Sequence, residues 1–376
     1  MNIPIVIPCF NRVNSLKRLL VSLEQANYGD YKPALIFSID KSENNDVIDF
    51  ITMYHWIHGE KIIYKREHNI GLKENILFCG DLTVKYDGII LIEDDLYVSP
   101  AFYLYAINAA QFYKTEKNIS GISLYSYEYE ELGHYRFYPF IVEYDTYFMQ
   151  WPSSWGQLWL KHHWENFRIW YNEQLTDLIN IPHQVKLWTH SWKKYYLSYM
   201  IETDKYFVYP FVSYTNELGG SGVHYTEHLN VNTVNLYMDS SPRIYFQPFD
   251  AAIYLYDAFF ELKPQIINLN DTKIRADFDL NGNKDIGFMQ SDYVISNKNN
   301  GKHIKSYGSI YVPYELNILS GEKGNSFFLY EKQMFLSSKK TRQTFEFMKT
   351  KRKIFIVKEM IKYIWIKLKI KMKIGQ

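Results

Sequence analysis

The stretch Gly88-Ile89-Ile90-Leu91-Ile92-Glu93-Asp94-Asp95-Leu96-Tyr97-Val98-Ser99-Pro100 decides how this 376-residue chain is read. Gly88 to Ile92 has the apolar run of a buried strand, it stops abruptly on three carboxylates, and Ser99-Pro100 opens a helix. Adjacent acids at a buried strand end repel one another and lose hydration, so an outside partner is expected to offset them. A hard divalent cation, Mg2+ or Mn2+, takes one or two protein carboxylates and fills its shell with water and phosphate oxygens. Its open side is where a diphosphate would sit. The plainer alternative is a solvated strand end followed by an ordinary helix start.

Upstream, short apolar runs alternate with helical patterns, which predicts an α/β fold with a mainly parallel sheet covered by helices. Ile3 to Ile7 reads as the first strand, with Pro8-Cys9-Phe10-Asn11-Arg12 as the loop after it and Leu16, Leu19, Leu20 and Leu23 at helical spacing. Ala34 to Ile39 is the second strand and ends at Asp40. A helix from Asp46 to Trp56 leads to a third strand at Lys61 to Tyr64, and His68-Asn69-Ile70-Gly71-Leu72-Lys73 opens the next helix. Open sheets of this kind bind ligands beyond the carboxyl ends of their strands, where Arg12, Asp40, His68 to Lys73 and Glu93 to Asp95 all fall.

Downstream, a helix is expected from Pro100 to about Thr115, and then the segment Gly121 to Tyr125. Trp151, Trp155, Trp159 and Trp164 are spaced as on a helix and read as core, with Trp155-Gly156 at its head kept for the site. From residue 231 the pattern changes to short segments such as Ile244-Tyr245-Phe246 and Ser309-Ile310-Tyr311-Val312 among Asn, Gly and Asp turns, which predicts a β-rich subdomain. Three parts are therefore expected: a catalytic domain at 1–230, the β-rich subdomain at 231–335 and a basic tail at 336–376.

Net charge is +1, but residues 339–376 carry 13 Lys and Arg against two Glu, leaving 29 basic and 39 acidic residues before them. In 351–374, Ile354, Val357, Ile361, Ile364, Trp365, Leu368 and Met372 share one helical face. That is the pattern of a basic amphipathic helix lying on an anionic membrane surface. Strict alternation in Ile366 to Ile374 leaves a strand or a disordered basic tail as alternatives. Nucleic acid is not expected, because no recognised motif accompanies the patch and the rest of the chain is acidic. Cys9 and Cys79 make no disulfide framework, and the first strand starts too early to leave room for a signal peptide. These features predict a cytoplasmic protein, peripheral on the inner face of the membrane. Aromatic residues reach 18%, a composition suited to stacking on sugar rings.

The motifs together resemble glycosyltransferases of the GT-A (Rossmann-like) fold, bacterial and family-2-like, especially the N-acetylglucosaminyltransferase I type. Ile3 to Arg12 resembles that family's first strand and nucleotide loop, and Glu93 to Phe102 its metal motif; residues 191–224 resemble its segment over the donor. The resemblance implies metal-dependent, inverting transfer of a sugar, N-acetylglucosamine among the donors, from a UDP-sugar to a hydroxyl of a glycan or lipid-linked glycan in bacterial surface polysaccharide synthesis. It implies that Arg12 contacts the diphosphate, Asp40 the uracil imide, Asp94 the ribose and Glu93 the donor sugar, with Asp95 on Mn2+ or Mg2+. Pro8, His68, Gly71, Lys73, Trp155, Gly156 and Gly222 complete the donor site. An acid is expected after Trp192 as general base, yet Lys193 stands there, and a protonated lysine cannot take a proton. Glu128, Glu217 and His224 are the substitutes. Two rival readings remain: a non-catalytic carbohydrate-binding or membrane scaffold, which Lys193 favours, and a sugar nucleotidyltransferase, which would need a Gly-rich phosphate loop after the first strand.

Overall fold

In the computed structural model, which describes residues 1–173, 180–217 and 233–336, Ile5–Cys9 (β1) is a strand with every side chain buried. The first helix, Val13–Glu24 (α1), buries Leu16, Leu19, Leu20 and Leu23 against the sheet, as their spacing predicts. Leu35–Ile39 (β2), Lys61–Lys65 (β3) and Gly88–Leu91 (β4) join β1 in parallel, with Asp46–Met53 (α2) and Gly71–Asp81 (α3) between them. Buried on both faces, β1, β2 and β4 are the largely apolar runs that parallel sheets require, while β3 at the edge of the sheet stays part-exposed.

Strand order places β4 and β2 on opposite sides of β1, so the chain reverses direction across the sheet between β1 and β4. Pairing of β1 with β4 ends at Val6–Leu91, with the Ile92 N–H donating to Val6 O at 3.0 Å, while pairing with β2 continues to Cys9–Ile39. Pro8 has no N–H with which to extend the ladder. The two strand ends therefore part just where the acidic turn begins, and a crevice at such a switch point is where ligands sit in open sheets.

The turn is fixed by a ribbon in which Leu96–Val98 (β5) pairs antiparallel with Thr215–Glu217 (β10). Phe102–Tyr113 (α4) follows and buries eight of its side chains. Ile119–Ser123 (β6), Thr146–Met149 (β7), Gln157–Leu160 (β8), Tyr206–Pro210 (β9) and Leu255–Tyr256 (β11) complete a nine-stranded mixed sheet in the order β11-β7-β9-β6-β8-β4-β1-β2-β3. Lys161–Glu173 (α5), His183–Lys186 (α6) and Trp192–Glu202 (α7) belong to the same unit.

The tryptophan segment departs from the helical expectation. Trp151 lies in a loop, Trp159 in β8 and only Trp164 in a helix, although all three are core residues at 0 to 1% exposure. A spacing of four or five residues does not by itself distinguish one helix from a strand leading into a helix. Trp159 and Trp164 still meet, with ring centroids 4.6 Å apart.

The chain divides into two compact units between Lys263 and Pro264; residues 233–263 belong to the first, where β11 pairs with β7. In the second, Gln265–Leu269 (β12), Thr272–Asp279 (β13), Tyr293–Ser296 (β14), Lys305–Tyr307 (β15) and Phe327–Glu331 (β16) form one sheet ordered β12-β13-β14-β16-β15. Asn270 and Asp271, both at positive φ, make the two-residue hairpin turn between β12 and β13. The short helices Glu315–Leu319 (α8) and Lys332–Leu336 (α9) complete it. Ile244 to Phe246 and Ser309 to Val312, expected as strands, are not strands. Gly219 to Gly222, His224 and residues 337–376 of the tail lie outside the described residues. No helix among the described residues is long and apolar enough to cross a membrane.

Candidate active site

Arg12 is the N-cap of α1 and reaches across the crevice to the acidic turn. Its Nη1 donates to Asp95 Oδ2 at 2.6 Å and its Nη2 pairs with Asp94 Oδ1. One guanidinium thus meets two of the three carboxylates. Burial pushes the Asp94 carboxyl up to about 6 against the opposing pull of Arg12, and burial with the Asp95 charge pushes Glu93 up further. The chain offsets only part of the charge it gathers. Asp95 Oδ1 has no partner among the described residues, and Asp94 Oδ1 is buried with the ion pair but no well-formed hydrogen bond.

Among the described residues no group of three or more His, Cys, Asp or Glu side chains is arranged to hold a metal ion by itself. A hard cation that takes one carboxylate from the protein and its other ligands from phosphate and water fits the open oxygen of Asp95. Asp95 is the residue that would hold it. Such a cation would supply electrostatic stabilisation of negative charge brought to this turn.

Asp40, buried at the end of β2, accepts from the N–H groups of Lys41, Ile70 and Gly71, each at 2.9 Å. Two of those donors belong to the start of α3, whose dipole favours a carboxylate there. Gly71 adopts φ +79°, which only glycine takes easily. A carboxylate has about four acceptor sites, so these three bonds leave Asp40 about one more. Beside it, Phe10, Lys41 and Arg66 line a shallow depression. Arg66 stacks on Phe78 with its guanidinium carbon 3.6 Å from the ring centroid, and its buried Nε has no hydrogen-bond partner. Neither Phe10 nor Arg66 was singled out by the sequence, since no spacing links the end of β3 to the end of β1.

Trp155 and Gly156 lie on the same edge: Gln157 is the Cα partner of both Leu91 and Ser123 at the ends of β4 and β6. Gly156 has φ +92°, and a Cβ there would come within 2.7 Å of Thr215 Cγ2. The side-chain amide of Gln157 is buried with neither atom satisfied among the described residues. Glu217, in β10, is the Cα partner of Leu96 beside the acidic turn. Pro8 borders the crevice, as described.

The other expected residues that the structure describes have different surroundings. His68 is exposed in the bend before α3, and Lys73 pairs with Glu74 at 3.0 Å and lies over Tyr195 of α7. Glu128 pairs with Arg136 at 3.5 Å, on a hairpin closed by the Tyr129–Arg136 bridge. Gly222 and His224 fall outside the described residues.

Lys193, at the position where an acid was expected, is 4% exposed and surrounded by aromatic rings: Trp151, Trp155, Tyr127 and Trp188 lie 4.9 to 6.0 Å from its Nζ. Burial lowers its pKa against the pull of Glu131, with which it forms an ion pair. Removing one member of a buried pair costs about 3–5 kcal/mol, so the two act as a unit. Glu131 was absent from the sequence candidates because its partner lies 62 residues away.

No protein-family model matches the chain, and no curated protein matches it. Among solved structures it is similar to S. aureus TarS 1–349 in complex with UDP-GlcNAc, at 12% identity over 60% of each chain with a TM-score of 0.37. GalNAc-T7 with UDP, GalNAc and Mn2+ is 9% identical over 55% of this chain and 42% of that one, at a TM-score of 0.39. The mannosyltransferase PcManGT from Pyrobaculum calidifontis, in complex with GDP-Man and Mn2+, is 11% identical over 32% and 34%, at 0.27. Each match covers less than two thirds of the neighbour's length.

Proposed function

We propose that the protein is a GT-A-type glycosyltransferase that moves a sugar from a nucleoside diphosphate sugar to a hydroxyl of an acceptor glycan. One observation carries this reading: Arg12, Asp94 and Asp95 converge at the parting of β1 and β4, with Asp40 and Trp155-Gly156 on the same sheet edge. Guanidinium geometry matches phosphate, so Arg12 is read as the diphosphate contact, exchanging part of its hold on the acids for the substrate. Asp40 is read as the acceptor for a uracil imide, Asp94 and Glu93 as facing ribose and donor sugar, and Asp95 as the metal ligand. Attack from the face opposite the diphosphate gives inversion.

N-acetylglucosamine is the first donor sugar to test, and a glycan or lipid-linked glycan the acceptor class. The basic stretch 339–376 is read as a membrane-surface element that keeps the enzyme on the inner face of a bacterial membrane, where such acceptors are assembled. A non-catalytic carbohydrate-binding protein is the second reading, favoured by Lys193 in place of an acid.

The test is calorimetric titration of UDP with and without Mn2+, followed by a panel of UDP- and GDP-sugars scored for release of free nucleoside diphosphate. Metal-strengthened UDP binding with turnover of at least one donor is expected. Nucleotide binding without any turnover selects the second reading, and no nucleotide binding at all ends the proposal.

A further inference from the structure

Glu131 is brought to Lys193, 62 residues along the chain, by the fold. Its Oε1 collects three donors: the Lys193 ammonium, Trp151 Nε1 at 3.0 Å and the Tyr127 hydroxyl at 2.5 Å. Oε2 has no partner among the described residues, and the side chain keeps 18% exposure where that of Lys193 keeps 6%. A carboxylate gripped through one oxygen cannot rotate away, so its other oxygen is held ready for an incoming donor.

Two links tie this carboxylate to the site. Lys193, the ion-pair partner of Glu131, is also near enough to Glu93 for the two charges to attract, which ties the pair to the acidic turn. Trp155, whose ring centroid is 5.8 Å from Lys193 Nζ, belongs to the loop that leads through Gly156 into the partner of Leu91. Glu128, by contrast, is paired with Arg136 out on its hairpin, and Glu217 is buried in the β5–β10 ribbon.

Resting on the transferase reading, we infer that Glu131 is the catalytic carboxylate whose Oε2 takes the acceptor proton, with Lys193, Trp151 and Tyr127 as its positioning residues. As the acceptor oxygen bonds to the anomeric carbon, its proton passes to Oε2. The bond from that carbon to the diphosphate oxygen breaks, and its electron pair leaves with the diphosphate. When water is the acceptor, the same transfer gives hydrolysis.

The experiment compares wild type, Glu131→Gln and Glu128→Gln in release of UDP from the UDP-sugar panel, with UDP affinity and melting temperature measured on each. A loss of at least 100-fold in Glu131→Gln, with UDP affinity within twofold and Glu128→Gln near wild type, is the expected result. Added formate restores turnover to Glu131→Gly but not to Lys193→Met, a rescue that a purely structural carboxylate would not show. If Glu131→Gln fails to fold, Glu131→Asp decides: it keeps the charge but withdraws the oxygen by one methylene, and unchanged turnover there overturns the assignment. Turnover in Glu131→Gln within fivefold of wild type overturns it while leaving the transferase reading intact. A wild type that turns over no donor removes both.

Discussion

Asp95 is the residue whose two oxygens divide the site's work, one held by Arg12 and one left open. Asp95→Ala is expected to lower donor turnover on the order of 10²-fold and to abolish the Mn2+ dependence of UDP binding, read by calorimetry at matched nucleotide concentration. Turnover and metal dependence both unchanged would remove the metal from this position. A second residue, Glu315 in the second unit, is buried at the start of α8 with its carboxyl pushed up to about 7 by desolvation. Its folded-state pKa lies above the unfolded value, so the stability it contributes is full below about pH 4.5 and is lost as pH rises through about 7. Glu315→Gln should therefore raise the unfolding free energy of the second unit, read by urea denaturation at pH 8, by on the order of 3 kcal/mol, and leave it unchanged at pH 4. An equal effect at both pH values would show that the burial of charge is not its origin.

At the scale of elements, the crevice depends on how β1, β4 and β8 end. Pro8 stops one ladder, and Gly156 lets the chain enter β8 with a positive φ against Thr215. Gly156→Ala combines left-handed strain with a contact that moves Thr215 and the β10 strand behind the acidic turn. A loss of about 2 kcal/mol or more in urea denaturation is expected, together with weaker UDP binding. Wild-type stability would mean that the loop relaxes without cost. β1, β2 and β4 were legible because their residues are largely apolar on both faces, whereas β8 was hidden: Trp159 satisfies a helical spacing with Trp164 as well as it satisfies the strand it occupies. Ile244 to Phe246 shows the reverse failure. Its apolar run packs only in part and has no partner strand among the described residues, so local pattern promised an element that pairing did not supply.

For the whole molecule, the sheet and the second unit divide at Lys263, and the charge divides later, with 13 basic residues after residue 338. Deleting 339–376 is expected to abolish cosedimentation with vesicles containing phosphatidylserine while leaving UDP affinity unchanged. Wild-type binding should itself fall as salt is raised, because exposed charges are screened beyond about 8 Å at physiological ionic strength. Binding to neutral vesicles as strong as to anionic ones would reject an electrostatic origin.

What the chain's order of residues determined by itself was local: apolar runs long enough to be buried strands, acids and Arg12 placed at their ends, and a tail of one charge sign. These follow from burial and repulsion between near neighbours, which need no knowledge of the rest of the molecule. Only the folded arrangement decided that Arg12 spans Asp94 and Asp95, that Asp40 anchors the start of α3, and that Glu131 meets Lys193 inside a ring of aromatic side chains. Those contacts join residues 30 to 83 positions apart. Their energies depend on distance and exclusion of water, quantities that exist only once the sheet has brought its strand ends to one edge.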